Sequence, residues 1–266
     1  SSSTNWLPNV NLSYELGHNL FVRGAYYKTV TRPDFGQLSP SLTLNDVSVP
    51  KSGSGGNPDL KSTTSTAYDA SIEWYFGKSN LLSLAGFYKN IDGFIVGGTQ
   101  TETINGVPYQ ITRPRNLGSA KLKGFEVGYQ QFLDFLPGLF SGLGVQANFT
   151  YVDSKVKDVF FTNGLGLVNL SRYSYNLTGL YEKGPLQMRV AYNWRSKYVN
   201  TQQTATQPAI FTDAFPWLDA SISYDLNKHV SLSLEGSNLL KTMQFDYEAV
   251  RTRPQVYYVV DRTFVA

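Results

Sequence analysis

The most constraining feature of this chain is an alternation of apolar and polar residues with a period of two, held over long segments. In residues 67–76 (AYDASIEWYF), Tyr68, Ala70, Ile72, Trp74 and Phe76 share one face, while Asp69, Ser71, Glu73 and Tyr75 share the other. The same pattern recurs at 10–16, 20–29, 82–88, 125–130, 145–151, 175–181, 186–195, 218–224 and 230–235, and less regularly at 255–265. About eleven strands result. The longest apolar stretches, 94–96 and 165–168, fall far short of the roughly 18 residues a membrane-spanning helix needs. A helical membrane protein is excluded, and a β-barrel is not.

The connections between these strands alternate strictly in length. Short ones fall at 17–19, 77–80, 133–142, 182–185 and 227–229, and long ones at 30–66, 97–119, 153–173, 196–216 and 240–254. In an up-and-down antiparallel sheet every second connection lies at the same end, so one end carries tight turns and the other carries elaborate loops. Outer-membrane barrels have this asymmetry, with an apolar lipid face, a polar lumen face and aromatic girdles at both interfaces. Tyr26, Trp74, Phe76, Tyr151, Tyr181, Tyr192, Trp194 and Tyr224 sit at strand ends on the apolar face and suit such girdles. A soluble β-sandwich also alternates, but its strands run about 5–6 residues, and here its core would hold Asp, Glu and Arg. The fold class predicted is therefore all-β, a transmembrane antiparallel barrel. Composition agrees: aromatics reach 14%, charged residues only 16%, and there is no cysteine. A net charge of +3 does not suggest a nucleic-acid partner.

Several stretches resemble the TonB-dependent outer-membrane receptors, specifically the C-terminal half of their barrel. They are YKTVTRPDF at 27–35, GNPDLKSTTSTAY at 56–68, FYKNIDGFIV at 87–96, KGFEVGYQQ at 123–131, GLGVQANFTYVDS at 142–154, residues 173–194, and LEGSNL at 234–239. Within that family, YNLTGLYEKG at 175–184 and YNWRSKY at 192–198 are most similar to a branch common in Caulobacter-like and Xanthomonas-like bacteria, many of whose members are associated with oligosaccharides. The resemblance implies a 22-stranded barrel in the bacterial outer membrane, filled by an N-terminal plug whose TonB-binding segment is expected upstream. TonB and its inner-membrane energising complex would pull on that plug to admit a small nutrient. On this reading residues 1–266 are the C-terminal part of the barrel, and the plug and first half lie outside them. The family usually ends on an aromatic residue, whereas here Val265 and Ala266 follow Phe264.

Counting back from a last strand that descends to the periplasm makes the short turns periplasmic and the long loops extracellular. Ligand contacts are then expected from the loops and the upper lumen face: Tyr27, Asn193 and Arg195 on strands, with Arg32, Asp34 and Phe35 at a loop base. Arg23, Glu126 and Arg189 lie deeper and are expected to line the lumen wall against the plug. Aromatics that stack on sugar faces and side chains that orient hydroxyls suit an oligosaccharide. A ferric siderophore is the alternative ligand, and a passive channel the alternative to energised uptake. Outer-membrane lipid and lipopolysaccharide are expected partners.

Other chemistry has little footing. His18 and His229 fall in short turns without metal-ligating neighbours, and Gly77-Lys78-Ser79 lacks the preceding glycine of a phosphate loop. Residues 53–56 are expected to be a flexible stretch. No catalytic residues, metal or cofactor are expected, and the chain is not read as an enzyme.

Overall fold

The computed structural model describes residues 4–116, 118–157, 165–203 and 208–265. Strands β1 (Asn9–Gly17) and β2 (Leu20–Thr31) meet in a tight turn, and β3 (Leu42–Asn45) and β4 (Ser52–Gly55) lie in the long connection that follows. Next come β5 (Thr63–Phe76), β6 (Asn80–Asp92), the hairpin β7 (Ile95–Ile104) and β8 (Val107–Asn116), and β9 (Ser119–Phe132). A 3-10 turn at Gly138–Gly142 leads into β10 (Leu143–Lys157), β11 (Tyr173–Lys183) and β12 (Leu186–Arg195). The chain continues through β13 (Tyr198–Thr201), β14 (Ile210–Thr212), β15 (Phe215–Asn227), β16 (Val230–Ser237), β17 (Met243–Glu248), β18 (Pro254–Val259) and β19 (Thr263–Val265).

Eleven strands form one antiparallel sheet in the order β1-β2-β5-β6-β9-β10-β11-β12-β15-β16-β19. The sheet does not close on itself. β1 and β19 each have one neighbour, and β19 pairs only with Glu235, Gly236 and Ser237 of β16. The expected single strand at 255–265 is thus two: β18 turns into a loop sheet and only β19 returns to the wall.

Register makes the two faces continuous from strand to strand. One row of cross-strand partners runs Val22, Ile72, Leu84, Val127, Phe149, Tyr175, Trp194 and Pro216. Its neighbour runs Arg23, Ser71, Ala85, Glu126, Thr150, Ser174, Arg195 and Phe215. Slipping any strand by one residue would exchange these faces, so the hydrophobic pattern specifies the register. The second row begins near the short turn before β2 and ends at the long-loop ends of β12 and β15, as expected of strands tilted across a membrane.

On the apolar face the aromatics form a band. Tyr26 packs on Tyr68 at 5.2 Å, Phe125 on Tyr151 at 5.6 Å, Tyr151 on Tyr173 at 5.4 Å, and Tyr175 on Trp194 at 5.2 Å. Toward the short turns, Trp74 and Phe76 pair at 4.8 Å. Large apolar side chains between the two bands, Ile72, Leu84, Leu232 and Leu234 among them, stand exposed, as a surface meant for lipid does.

The long connections differ from their expectation as loops. Two four-stranded sheets occupy them, β3-β4-β8-β7 and β13-β14-β17-β18. Asn105 and Gly106, at φ 49° and 79°, make the two-residue turn joining β7 to β8, a geometry these two residues tolerate best. Residues 53–56 are not a loose stretch either. Gly53 and Gly55 lie in β4, and a Cβ on Gly55 would come within 2.5 Å of the Ser41 carbonyl, while one on Gly56 would strike that of Ser39. These glycines serve close backbone approach rather than flexibility.

Candidate functional site

On the polar face, Arg23, Glu126, Arg189, Asn193 and Arg195 line three open recesses. The first, about 740 Å³, is lined by Arg23, Asp69, Glu73, Phe87, Lys89 and Glu126 among others. The second, about 510 Å³, gathers Glu126, Asn176, Asn193, Arg195, Phe215 and Trp217 at the long-loop end. The third, about 350 Å³, holds Arg189 with Asn193, Asp219, Ser221 and Glu235.

Alternation places Asn193 and Arg195 together, two residues apart on β12. Arg195 is committed to its surroundings: Nε donates to Ser171 Oγ at 2.9 Å, a terminal nitrogen donates to the Asn169 carbonyl at 2.9 Å, and the guanidinium lies 4.1 Å from the Tyr198 ring centre. It therefore fastens residues 169–171, which line the second recess with it. Glu126, expected deeper against the plug, borders both the first and second recesses. Arg23 is neutralised within the wall, donating to Glu73 Oε2 at 3.2 Å and Ser13 Oγ at 2.9 Å. Ser71 and Tyr75 hydroxyls donate to the same Glu73 carboxylate.

Tyr27, Arg32, Asp34 and Phe35 line none of these three recesses. Tyr27 faces the lumen beside Lys89, whose Nζ is 5.9 Å from its ring centre. The Asp34 carbonyl accepts from the backbone N–H of Gln37 and Leu38, closing a turn that leaves Phe35 96% exposed. The six candidates thus form two groups, one at the top of β2 and one on β12.

Two residues of β15 beside the second group, Trp217 and Asp219, are not among the candidates although the alternation contained their signal. Trp217 falls on the polar face by parity with Asp219, and its Nε1 donates to Asp219 Oδ1 at 2.8 Å. The Ser237 hydroxyl and Asn238 N–H donate to that same oxygen, each at 3.0 Å. Asn238, 1% exposed and at φ 52°, also donates through Nδ2 to the Thr242 and Val260 carbonyls. The LEGSNL stretch is therefore the corner at which the last hairpin leaves the wall.

The loop sheet β3-β4-β8-β7 is held by charge. The Tyr109 hydroxyl and Lys51 Nζ both donate to Asp46 Oδ1, at 2.5 and 3.0 Å, and the Tyr109 bond, then the Lys51 bond, hold the Asp46 carboxyl below its ordinary pKa. Asp46 in turn raises Lys51, and raises Tyr109 together with burial. Glu102 accepts from both Arg113 and Arg115, at 2.7 and 2.5 Å. Among the described residues no group of three His, Cys, Asp or Glu is placed to hold a metal.

A family described as "TonB dependent receptor-like, beta-barrel" matches residues 1–239. The chain belongs to that family. Its TonB-dependent receptor fold recurs in solved structures: the siderophore receptor PirA from Acinetobacter baumannii (20% identity, TM-score 0.70, covering 90% of this chain and 37% of that one) and a mutant of the ferric enterobactin receptor PfeA from Pseudomonas aeruginosa (19%, 0.73, 98% and 39%). The ferric-catecholate import receptor Fiu from K12 E. coli is similar at 17% identity and a TM-score of 0.63, covering 96% and 33%. The chain spans well under half the length of these receptors. No curated protein matches the sequence. The family is one of receptors and transporters rather than enzymes.

Proposed function

We propose that this chain forms the C-terminal half of the barrel of an outer-membrane receptor that takes up a scarce small-molecule nutrient with energy from TonB. The observation that carries the reading is the eleven-stranded antiparallel wall, apolar and aromatic on one face and polar on the other, within a sequence of the TonB-dependent receptor family. The remaining strands would close against β1 and β19, and a plug would fill the polar side, meeting Arg23, Glu126 and Arg189. Ligand would enter from the long-loop end, past Phe35 and Tyr27 on one side and the Asn193, Arg195 and Trp217 recess on the other.

The oligosaccharide suggested by the branch resemblance draws no support from the structural relatives, whose names cite siderophores and ferric catecholates. A ferric siderophore is therefore the first ligand to test. The full-length gene product should rise on iron starvation and bind ferric catecholates, and Tyr27→Ala, Phe35→Ala and Asn193→Ala should each weaken binding about 5- to 30-fold, the effect of one lost aromatic or hydrogen-bonded contact. Induction by a carbohydrate instead would return the ligand to the oligosaccharide class. Uptake that persists without TonB would leave only a passive channel.

A further inference from the structure

Each loop sheet ends in two strands that have one neighbour, and these edges are not alike. β3 and β13 are four residues long, and β18 begins at Pro254 and leads to β19, at the seam where further strands would close the barrel. β7 runs ten residues, and its hairpin rises between β6 and β9, which pair with each other inside the described wall. Long native edges are commonly guarded by lysine, proline or a bulge. β7 has neither lysine nor proline, its register with β8 is unbroken from Ile95 to Ile104, and its one charge, Glu102, is taken by Arg113 and Arg115.

Two observations fix which backbone groups of β7 point outward. Ile104 and Val107 flank a two-residue turn and so exchange hydrogen bonds, and alternation then aims Glu102, Gln100 and Gly98 at β8 and Thr103, Thr101 and Thr99 away from it. The Gln110 N–H, opposite Thr101, agrees, since it donates to the Lys51 carbonyl on the β4 side at 2.8 Å rather than to Thr101. Among the described residues, no backbone hydrogen bond outside the β7–β8 ladder reaches residues 95–104. Side chains hold the edge in place: the Thr99 and Thr112 hydroxyls meet at 2.7 Å, and Gln110 Nε2 donates to Thr101 Oγ1 at 2.8 Å. All three threonines are exposed, and a Cβ on Gly97 would meet nothing within 4 Å, so the approach is open.

We propose that the outer edge of β7 binds an extended peptide, which adds to β3-β4-β8-β7 as an antiparallel fifth strand. The outward groups recur every second residue, about 7 Å apart, and an extended peptide backbone repeats its own donors and acceptors at that spacing. A sugar or a lipid does not. From Gly97 to Thr103 the edge accommodates about seven residues of such a peptide. Threonine side chains on one face favour β-branched residues opposite them, threonine or valine, and proline is excluded where an N–H must pair. No residue of β7 lines the three lumen recesses, so this site does not depend on which nutrient the receptor carries.

The test uses the full-length receptor in detergent and a fluorescently labelled synthetic peptide of alternating threonine and valine with a lysine at each end. The same peptide methylated at every backbone nitrogen keeps the side chains and lacks the donors. Anisotropy reads affinity, and amide exchange reads position. The unmethylated peptide should bind roughly 10-fold more tightly or better, and should slow exchange at Thr99, Thr101 and Thr103. Thr101→Pro should weaken it roughly 10-fold, because proline removes an N–H that the ladder to β8 does not use, while Thr101→Ser should bind like the parent. The comparison of the two peptides needs no variant and holds even where the proline strains the hairpin. Equal affinity for both peptides, full protection of the three threonine amides before any peptide is added, or pairing of two receptors through β7 in place of the peptide would each overturn the proposal. All three leave the receptor reading in place, since that reading is tested by TonB-dependent uptake.

Discussion

Asn238 illustrates how much one side chain can decide. It is nearly inaccessible, adopts a left-handed backbone conformation, and joins the end of β16 to both Thr242 and Val260. Asn238→Ala should cost about 2–4 kcal/mol, combining lost buried hydrogen bonds with the backbone penalty, and Asn238→Gly should recover only the backbone part. Thermal unfolding of the full-length barrel in detergent measures both. Equal melting temperatures for parent and alanine variant would show the corner to be held by its backbone alone. Asp46 sets a second, pH-dependent prediction. Its depressed pKa means that its contribution is complete above the ordinary carboxylate value of about 3.9 and disappears as pH falls through the lower folded value. The raised Lys51 and Tyr109 contribute below their ordinary values, about 10, and lose that contribution as pH climbs through the folded ones. Amide exchange in β3 and β4, corrected for intrinsic rates, should thus show steady protection from about pH 5 to 9 and loss in acid. Asp46→Asn should flatten the acid limb. If the limb survives in that variant, another carboxylate governs it.

At the scale of the strand, the two faces of β5 are separated by a single step in sequence and by a change of solvent. Ile72 stands outward between Val22 and Leu84, whereas Ser71 lies inward between Arg23 and Ala85. Ile72→Arg should therefore impair assembly, since a cation at mid-bilayer costs about 2–4 kcal/mol, and Ser71→Arg should be tolerated better in a wet lumen. Folding yield in vesicles distinguishes the two. Equal yields would argue that neither face meets lipid. Alternation made these wall strands legible because each is one-sided, and the structure lengthens them, β9 and β10 reaching 14 and 15 residues. The strands within the loops escaped the same reading. β4 is SGSG, with no apolar residue to mark a face, and it pairs in parallel with β8, a partner more than 50 residues away. The β7–β8 hairpin did carry a local signal in Asn105-Gly106, which a search for two-residue turns would have found.

For the whole molecule, orientation is the quantity on which the site depends. The chain has no cysteine, so single replacements can be read cleanly within it. In intact cells, Ser54→Cys in the full-length receptor should label with an impermeant maleimide, because Ser54 is exposed on a loop sheet, and His229→Cys should not. Residues 204–206, which also belong to a long connection, lie outside the described residues. The opposite labelling pattern would invert the barrel and move the entry face to the short turns. From sequence alone came the number of wall strands, their two faces, the alternation of short and long connections, and placement of Tyr27, Asn193 and Arg195 on the polar side. Those features are local or periodic, so neighbouring residues encode them. Only the tertiary structure decided that Arg195 fastens residues 169–171, that Glu126 borders two recesses, that Trp217 joins Asn193, and that β7 keeps a free edge. Each of these depends on register between strands whose separation in sequence no periodicity records, because pairing is chosen by the fit of the whole wall rather than by any one strand.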